Sequence, residues 1–135
     1  MRKIIFRGFS KYLCEWIYGD LEHVEQDHVR IWPLHASGDN RADDVSPKSV
    51  GQYTGLKDQE GKEIYEGDIV DFELLRGKKS RGYVTYSDEK ARYVVTFQRG
   101  KYERALSWVC AVGKPVVVGN TYETPELLEE ERPNA

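Results

Sequence analysis

Tyr53–Phe72 reads YTGLKDQEGKEIYEGDIVDF, and the way this stretch is punctuated decides the fold. Val50–Thr54 is extended, and Gly55 breaks it. Lys57–Gly61 is composed of turn residues, and the glycine at its end adopts positive φ without a Cβ clash. Lys62–Tyr65 resumes extension. Gly67-Asp68 then opens a strand in which Val70, Phe72 and Leu74 point one way and Ile69, Asp71 and Glu73 the other. Turn geometry accounts for every glycine in the stretch, so it reads as scaffold rather than as a site.

The same punctuation extends in both directions. In Lys3–Phe9, Ile4 and Phe6 fall on one face of a strand, with Lys3, Ile5 and Arg7 on the other. Tyr12–Tyr18 and His28–Leu34 are further short strands. His35–Ser49 holds Gly, Asn, Asp, Ser and Pro with almost no apolar period and is expected to be a long surface loop, capable of motion. After the opening stretch come a basic turn over Arg76–Ser80, a strand over Gly82–Ser87, a turn over Asp88–Arg92, and a strand presenting Tyr93, Val95 and Phe97 on one face. Ala105–Val112 and Pro115–Val118 are expected strands. In the closing GNTYETPELLEEE, Thr124 suits an N-cap, Pro125 the first helical position and Glu126 the positive end of the dipole, which predicts a short C-terminal helix. Short strands at spacings of roughly ten residues with tight turns make the chain mainly β with minor α. The expected form is an antiparallel meander with an SH3-like barrel portion over residues 67–118.

A chain of 135 residues is the size of one ordinary domain, so residues 1–135 are expected to form a single one. With 39% apolar and 32% charged residues, the composition is that of a folded soluble protein. Apolar runs such as Val116–Val118 fall far short of the roughly 18 residues a membrane span needs. The start, MRKIIFRGF, regains charge at Arg7 and lacks the apolar core of a signal peptide, so a cytoplasmic location is expected. Cys14 and Cys110 stand alone and far apart, which excludes zinc ribbons and redox Cys-x-x-Cys pairs.

Three segments carry a resemblance. MRKIIFRGF at the start, QYTGLKDQEGKEIYEGDIV in the middle and VGNTYETPELLEE at the end, in that order, resemble the YopX family of phage and prophage proteins over nearly the whole chain. The resemblance implies a small, mostly β protein of phage or prophage origin, working in the bacterial host, from a family with no established molecular function. It supplies no catalytic residues to carry over.

No residue constellation reaches the specificity of a catalytic or metal motif. His23 and His28 lie five apart, an offset that sends them to different faces of a helix or of a strand, and His35 stands apart from both. GDNRADD lacks the glycine and the oxygen donors of a calcium loop. RGKKS fails the phosphate-loop pattern at two positions, and no nucleophile has a local partner. Adjacent acids such as Asp43-Asp44 read as solvated. The chain is therefore expected not to be an enzyme and to need no cofactor or metal.

Charge layout is the remaining signal. The net charge of −3 divides unevenly: residues 20–71 hold thirteen acidic and five basic side chains, whereas residues 76–104 hold nine basic and three acidic. In the basic region Arg76, Lys78, Lys79, Arg81, Lys90 and Arg92 are interleaved with Tyr86 and Tyr102, and these eight are the candidate binding residues. Such a face suits an acidic host or phage protein, or a second copy of the chain. The alternative is single-stranded nucleic acid, held by cations on phosphate and aromatics on bases. A sequence pI near 5.7 favours the protein partner.

Overall fold

Period-two alternation folds, as expected, into antiparallel strands. The computed structural model describes residues 1–34 and 41–129. The chain divides into two units, Met1–Tyr53 and Thr54–Ala135.

The first unit is a curled sheet of β1 (Phe6–Ser10), β2 (Glu15–Glu25), β3 (His28–Pro33), β4 (Asp43–Val45) and the beginning of β5 (Gly51–Lys57), in the order β4-β3-β2-β1-β5. Phe6 pairs with Gly19, Leu21 with Ile31 and Val29 with Val45. These registers bring Ile17, Val29, Ile31 and Val45 into one core, with Phe6, Leu21 and Val50 packed against it. The curl is tight: a Cβ on Gly8 would sit 2.7 Å from Val45 Cγ2, and the Ser46 N–H donates to the Phe9 carbonyl at 2.9 Å. Only a residue without a side chain lets β4 come this close to β1.

Ile4 and Ile5 fall on opposite faces, as predicted, and the buried face is that of Ile5 and Arg7. The Arg7 guanidinium lies 4.7 Å from the Trp16 ring centroid. One expectation is corrected here. Part of the expected loop over residues 35–49 is ordered structure. Asp43–Val45 is β4, Pro47–Ser49 is a 3-10 turn, and residues 35–40 lie outside the described residues. Partners distant in sequence hold this segment: Ser49 Oγ accepts the Phe9 N–H at 2.7 Å, and His28 meets Asp44 at 2.8 Å.

In the second unit the rest of β5 lies beside β6 (Glu63–Tyr65), and the Thr54 hydroxyl donates to the Ile64 carbonyl at 2.8 Å. β7 (Asp68–Leu75), β8 (Lys78–Ser87), β9 (Arg92–Phe97), β10 (Tyr102–Ala105) and β11 (Val116–Asn120) form a sheet in the order β10-β9-β8-β7-β11. The predicted faces of β7 and β9 hold: Val70, Phe72, Val95 and Phe97 enter the core with Ile64, Val84, Leu106 and Val109, while Leu74 and Tyr93 pack against it. Phe72 and Phe97 meet edge to face with centroids 5.2 Å apart. Among the described residues the sheet does not close, since β10 and β11 are its two ends, so residues 67–118 form an open sheet rather than a barrel.

Residues 106–112, expected as a strand, are instead α1 (Leu106–Val112). Leu106 and Val109 are buried three residues apart while Trp108 is exposed, a helical pattern hidden inside a short apolar run. Gly55, read as a strand breaker, sits inside β5 at φ +88°. The C-terminal helix α2 (Glu126–Glu129) is present, but Thr124 does not cap it through its side chain as expected. Its Oγ1 instead accepts the Asn120 N–H at 3.0 Å and donates to the Asn120 carbonyl at 3.1 Å, closing the turn that leads from β11.

The turn in the opening stretch is pinned by one carboxylate. Asp58 is buried; its Oδ1 accepts the N–H groups of Glu60 and Lys62 at 2.9 Å each, and its Oδ2 accepts that of Val117 at 3.0 Å. Burial pushes the Asp58 carboxyl up, but the three N–H donors, with the nearby Lys62 charge, outweigh it, and the net shift is below the ordinary carboxylate range. Gly61 closes the turn at φ +85°, as predicted. A second carboxylate, Asp68, takes the Tyr65 N–H at 2.7 Å. Within the stretch, Asp58, Gly61 and Asp68 hold turns and strands.

Candidate functional site

β8 is ten residues long, so the two groups of predicted binding residues lie at opposite ends of a strand about 30 Å in extent. Arg76, Lys78 and Lys79 are exposed around the β7–β8 turn, where the Gly77 N–H donates to Glu73 Oε1 at 2.6 Å. Lys90, Arg92 and Tyr86 sit at the far end. There the Lys90 ammonium lies 3.7 Å from a Glu103 carboxylate oxygen, and Tyr86 packs edge to face on Tyr93 with centroids 5.2 Å apart.

Arg81 belongs to neither group. It pairs across the strands with Asp71, Nε to Oδ1 at 2.6 Å and Nη2 to Oδ2 at 3.1 Å, and its Nη1 donates to the Leu127 carbonyl at 3.3 Å. Only 15% of its side chain is exposed. A two-pronged guanidinium–carboxylate pair of this kind holds β7, β8 and α2 in place.

Tyr102, by contrast, comes to the Lys78 end. β9 runs antiparallel to β8, and Tyr102 pairs with Phe97, so the β9–β10 turn returns beside the start of β8. There the structure assembles a cleft of about 320 Å³, within the usual size range of a binding pocket. Leu74, Leu75, Phe97, Tyr102 and Trp108 give it an apolar lining. Lys78 and Arg104 add two cations, and Ser80 and Gln98 add neutral polar groups. The Lys101 ammonium lies 5.5 Å from the Tyr102 ring centroid, a third cation nearby. Neither a carboxylate nor a histidine is among the described residues lining the cleft.

The eight predicted residues thus separate: Lys78 and Tyr102 line the cleft, Arg76 and Lys79 stand on the adjoining hairpin, Arg81 is paired with Asp71, and Lys90, Arg92 and Tyr86 are elsewhere. Sequence reading missed Leu75 and Trp108, which are 61% and 46% exposed. A signal for Leu75 was available, since the adjacent Leu74 and Leu75 at a strand end cannot both face the core. A strand over residues 106–112 offers no such signal for Trp108.

Other groups are quieter. Burial, with the nearby Asp58 charge, pushes the Cys110 thiol up, which keeps it protonated and weakly nucleophilic at neutral pH. On the first unit, Glu22 accepts from Arg30 Nε at 2.6 Å and from Trp32 Nε1 at 2.9 Å, and these donors, Arg30 first, hold its carboxyl below the ordinary range. Among the described residues no cluster of three or more His, Cys, Asp or Glu is placed to hold a metal ion, and no helix is long and apolar enough to cross a membrane.

The family described as YopX protein matches residues 5–129. The chain belongs to the YopX family. In fold, this YopX chain is similar to the crystal structure of protein EF1440 from Enterococcus faecalis, with a TM-score of 0.56 and 22% identity, over 95% of this chain and 99% of that one. No curated protein matches it. The likeness at this identity speaks to the fold of the YopX chain alone.

Proposed function

We propose that this YopX-family chain is a non-enzymatic accessory protein of phage or prophage origin that acts in the bacterial cytoplasm as a protein-binding module. The observation that carries the reading is the cleft: Leu75, Tyr102 and Trp108 remain exposed together, beside Lys78 and Arg104, with no acid among the described lining residues. Three large apolar side chains left in water at one spot resemble the aromatic and aliphatic anchors at the centre of protein interfaces. The surrounding cations, with Arg76 and Lys79 on the hairpin above, select an acidic surface and speed encounter with it.

The test is capture from the bacterial host followed by kinetic measurement on the protein identified. Arg76→Glu, Lys78→Glu and Lys79→Glu together alter exposed residues. The triple variant is expected to keep its melting temperature and to associate with the captured protein at least tenfold more slowly at low salt. An unchanged association rate removes the protein-binding reading. Steeply salt-dependent retention of single-stranded DNA by the wild type, lost in the variant, replaces it with the nucleic-acid alternative.

A further inference from the structure

The cleft is specific enough in its chemistry to name what enters it. We infer that it takes one apolar anchor side chain, aliphatic or aromatic, from an acidic protein segment, with a carboxylate next to the anchor held between Lys78 and Arg104. The inference rests on the protein-binding reading above and goes further by fixing the chemistry of the segment.

The volume sets the first limit. About 320 Å³ admits one or two side chains and not a folded element. The lining sets the second. Leu74 and Leu75 supply an aliphatic wall, and Phe97, Tyr102 and Trp108 supply rings, so a buried anchor meets apolar atoms on several sides. A nucleobase would bring a polar edge that Ser80, Gln98, the Tyr102 hydroxyl and the Trp108 indole N–H satisfy only in part among the described lining residues, leaving polar atoms against leucines. Charge sets the third limit. Two cations line the cleft, a third lies over the Tyr102 ring, and no described lining residue is anionic, so a carboxylate beside the anchor gains from both Lys78 and Arg104 while a basic neighbour is repelled.

The position in the fold agrees with these limits. Lys78 and Ser80 are on β8, Tyr102 and Arg104 on β10 two residues apart on one face, and Trp108 is on α1, so apart from Gln98 in the β9–β10 turn the cleft stands on regular elements. Elements held by a packed core present a preformed site and lower the ordering cost of binding.

The experiment uses the full chain and a yeast-displayed library of random twelve-residue peptides. Selection on the wild type is expected to enrich Leu, Phe or Trp within two positions of Asp or Glu. Trp108→Ala and Leu75→Gln, both at exposed positions and both checked by thermal melts, are expected to weaken an enriched peptide at least tenfold. The double variant Lys78→Glu, Arg104→Glu is expected to select Lys or Arg beside the same anchors, a reversal that a loss of folding cannot produce. Enrichment without an anchor, without an acid preference, or unaltered by the double variant overturns the inference. So does a twelve-residue oligothymidylate that binds at physiological salt and shifts the Trp108 indole resonance. If the captured host protein needs Arg76, Lys78 and Lys79 but is indifferent to Trp108→Ala, the protein-binding reading stands and the assignment of the cleft falls.

Discussion

Replacing Asp58 tests the account of the scaffold most directly. Its carboxylate accepts three backbone N–H groups, two inside its own turn and one on β11. Glu60 and Lys62 are exposed, so in Asp58→Ala their N–H groups recover water at modest cost. Val117 is half-buried, and its N–H is left poorly paired. A hydrogen bond to a charged acceptor contributes about 1.5–3 kcal/mol, so losing the Val117 bond and part of the other two gives an expected destabilisation of about 3 kcal/mol. For a chain of this length that is a fall in melting temperature of roughly 10 °C. Asp58→Asn is nearly as damaging, at about 2 kcal/mol, because the amide can turn an oxygen toward the turn or toward Val117 but not toward both.

The sign of the pH dependence follows from the same geometry. The folded pKa of Asp58 lies below its unfolded value, so the carboxylate's contribution is fully present above the unfolded value, about 3.9, and is lost as pH falls through the folded pKa. Urea unfolding of wild type and Asp58→Asn at neutral pH and at successively lower pH is therefore expected to show a gap that narrows only in acid. A gap below about 0.5 kcal/mol at neutral pH, or one that is the same at every pH, refutes the reasoning.

Three further outcomes are expected. Gly61→Ala costs at least about 1 kcal/mol, entirely from φ, because a Cβ there meets nothing within 4 Å; an unchanged unfolding midpoint contradicts this. Ala91→Gly raises stability by about 0.5–1 kcal/mol, because Ala91 holds a left-handed φ of +52° that glycine adopts without strain; thermal melts check it. Arg81→Glu sets a second carboxylate against Asp71 and costs about 3 kcal/mol or more, whereas Lys78→Glu and Lys79→Glu stay within about 0.5 kcal/mol, and equal losses in the three would dissolve the distinction between structural and exposed cations.

Alternation made most of the strands readable, because a strand with one buried face writes its period into the sequence. Val70 and Phe72, and likewise Val95 and Phe97, share a face by alternation and share the core. Where the reading failed, the deciding partner was distant. Asp43–Val45 looks like polar loop, and becomes β4 because Val45 meets Val29 and closes over Gly8. Leu106, Val109 and Cys110 suit either a helix or a buried strand, and packing on the sheet decided for the helix. Alternation separates Ile4 from Ile5 without saying which face is buried, and packing buried Ile5.

The candidate binding residues divide for a geometric reason that composition cannot express. Lys79 and Lys90 belong to one basic stretch of sequence, yet β8 carries them apart, while Lys78 and Trp108, thirty positions distant, line one cleft. Counting charges along the chain located a basic region and could not show that Arg81 is spent on Asp71 or that apolar groups stand beside Lys78. The stretch Tyr53–Phe72, which carries much of the resemblance to the YopX family, lies wholly outside that cleft and is occupied by Asp58, Gly61 and Asp68 in holding turns and strands. A motif bound to backbone geometry tolerates little change in residue type, whereas a cleft of exposed side chains can change its occupant with one substitution. The family match spans frame and cleft alike, residues 5–129, and what the frame presents has to be read from the side chains that burial leaves exposed, Leu75, Tyr102 and Trp108 first among them.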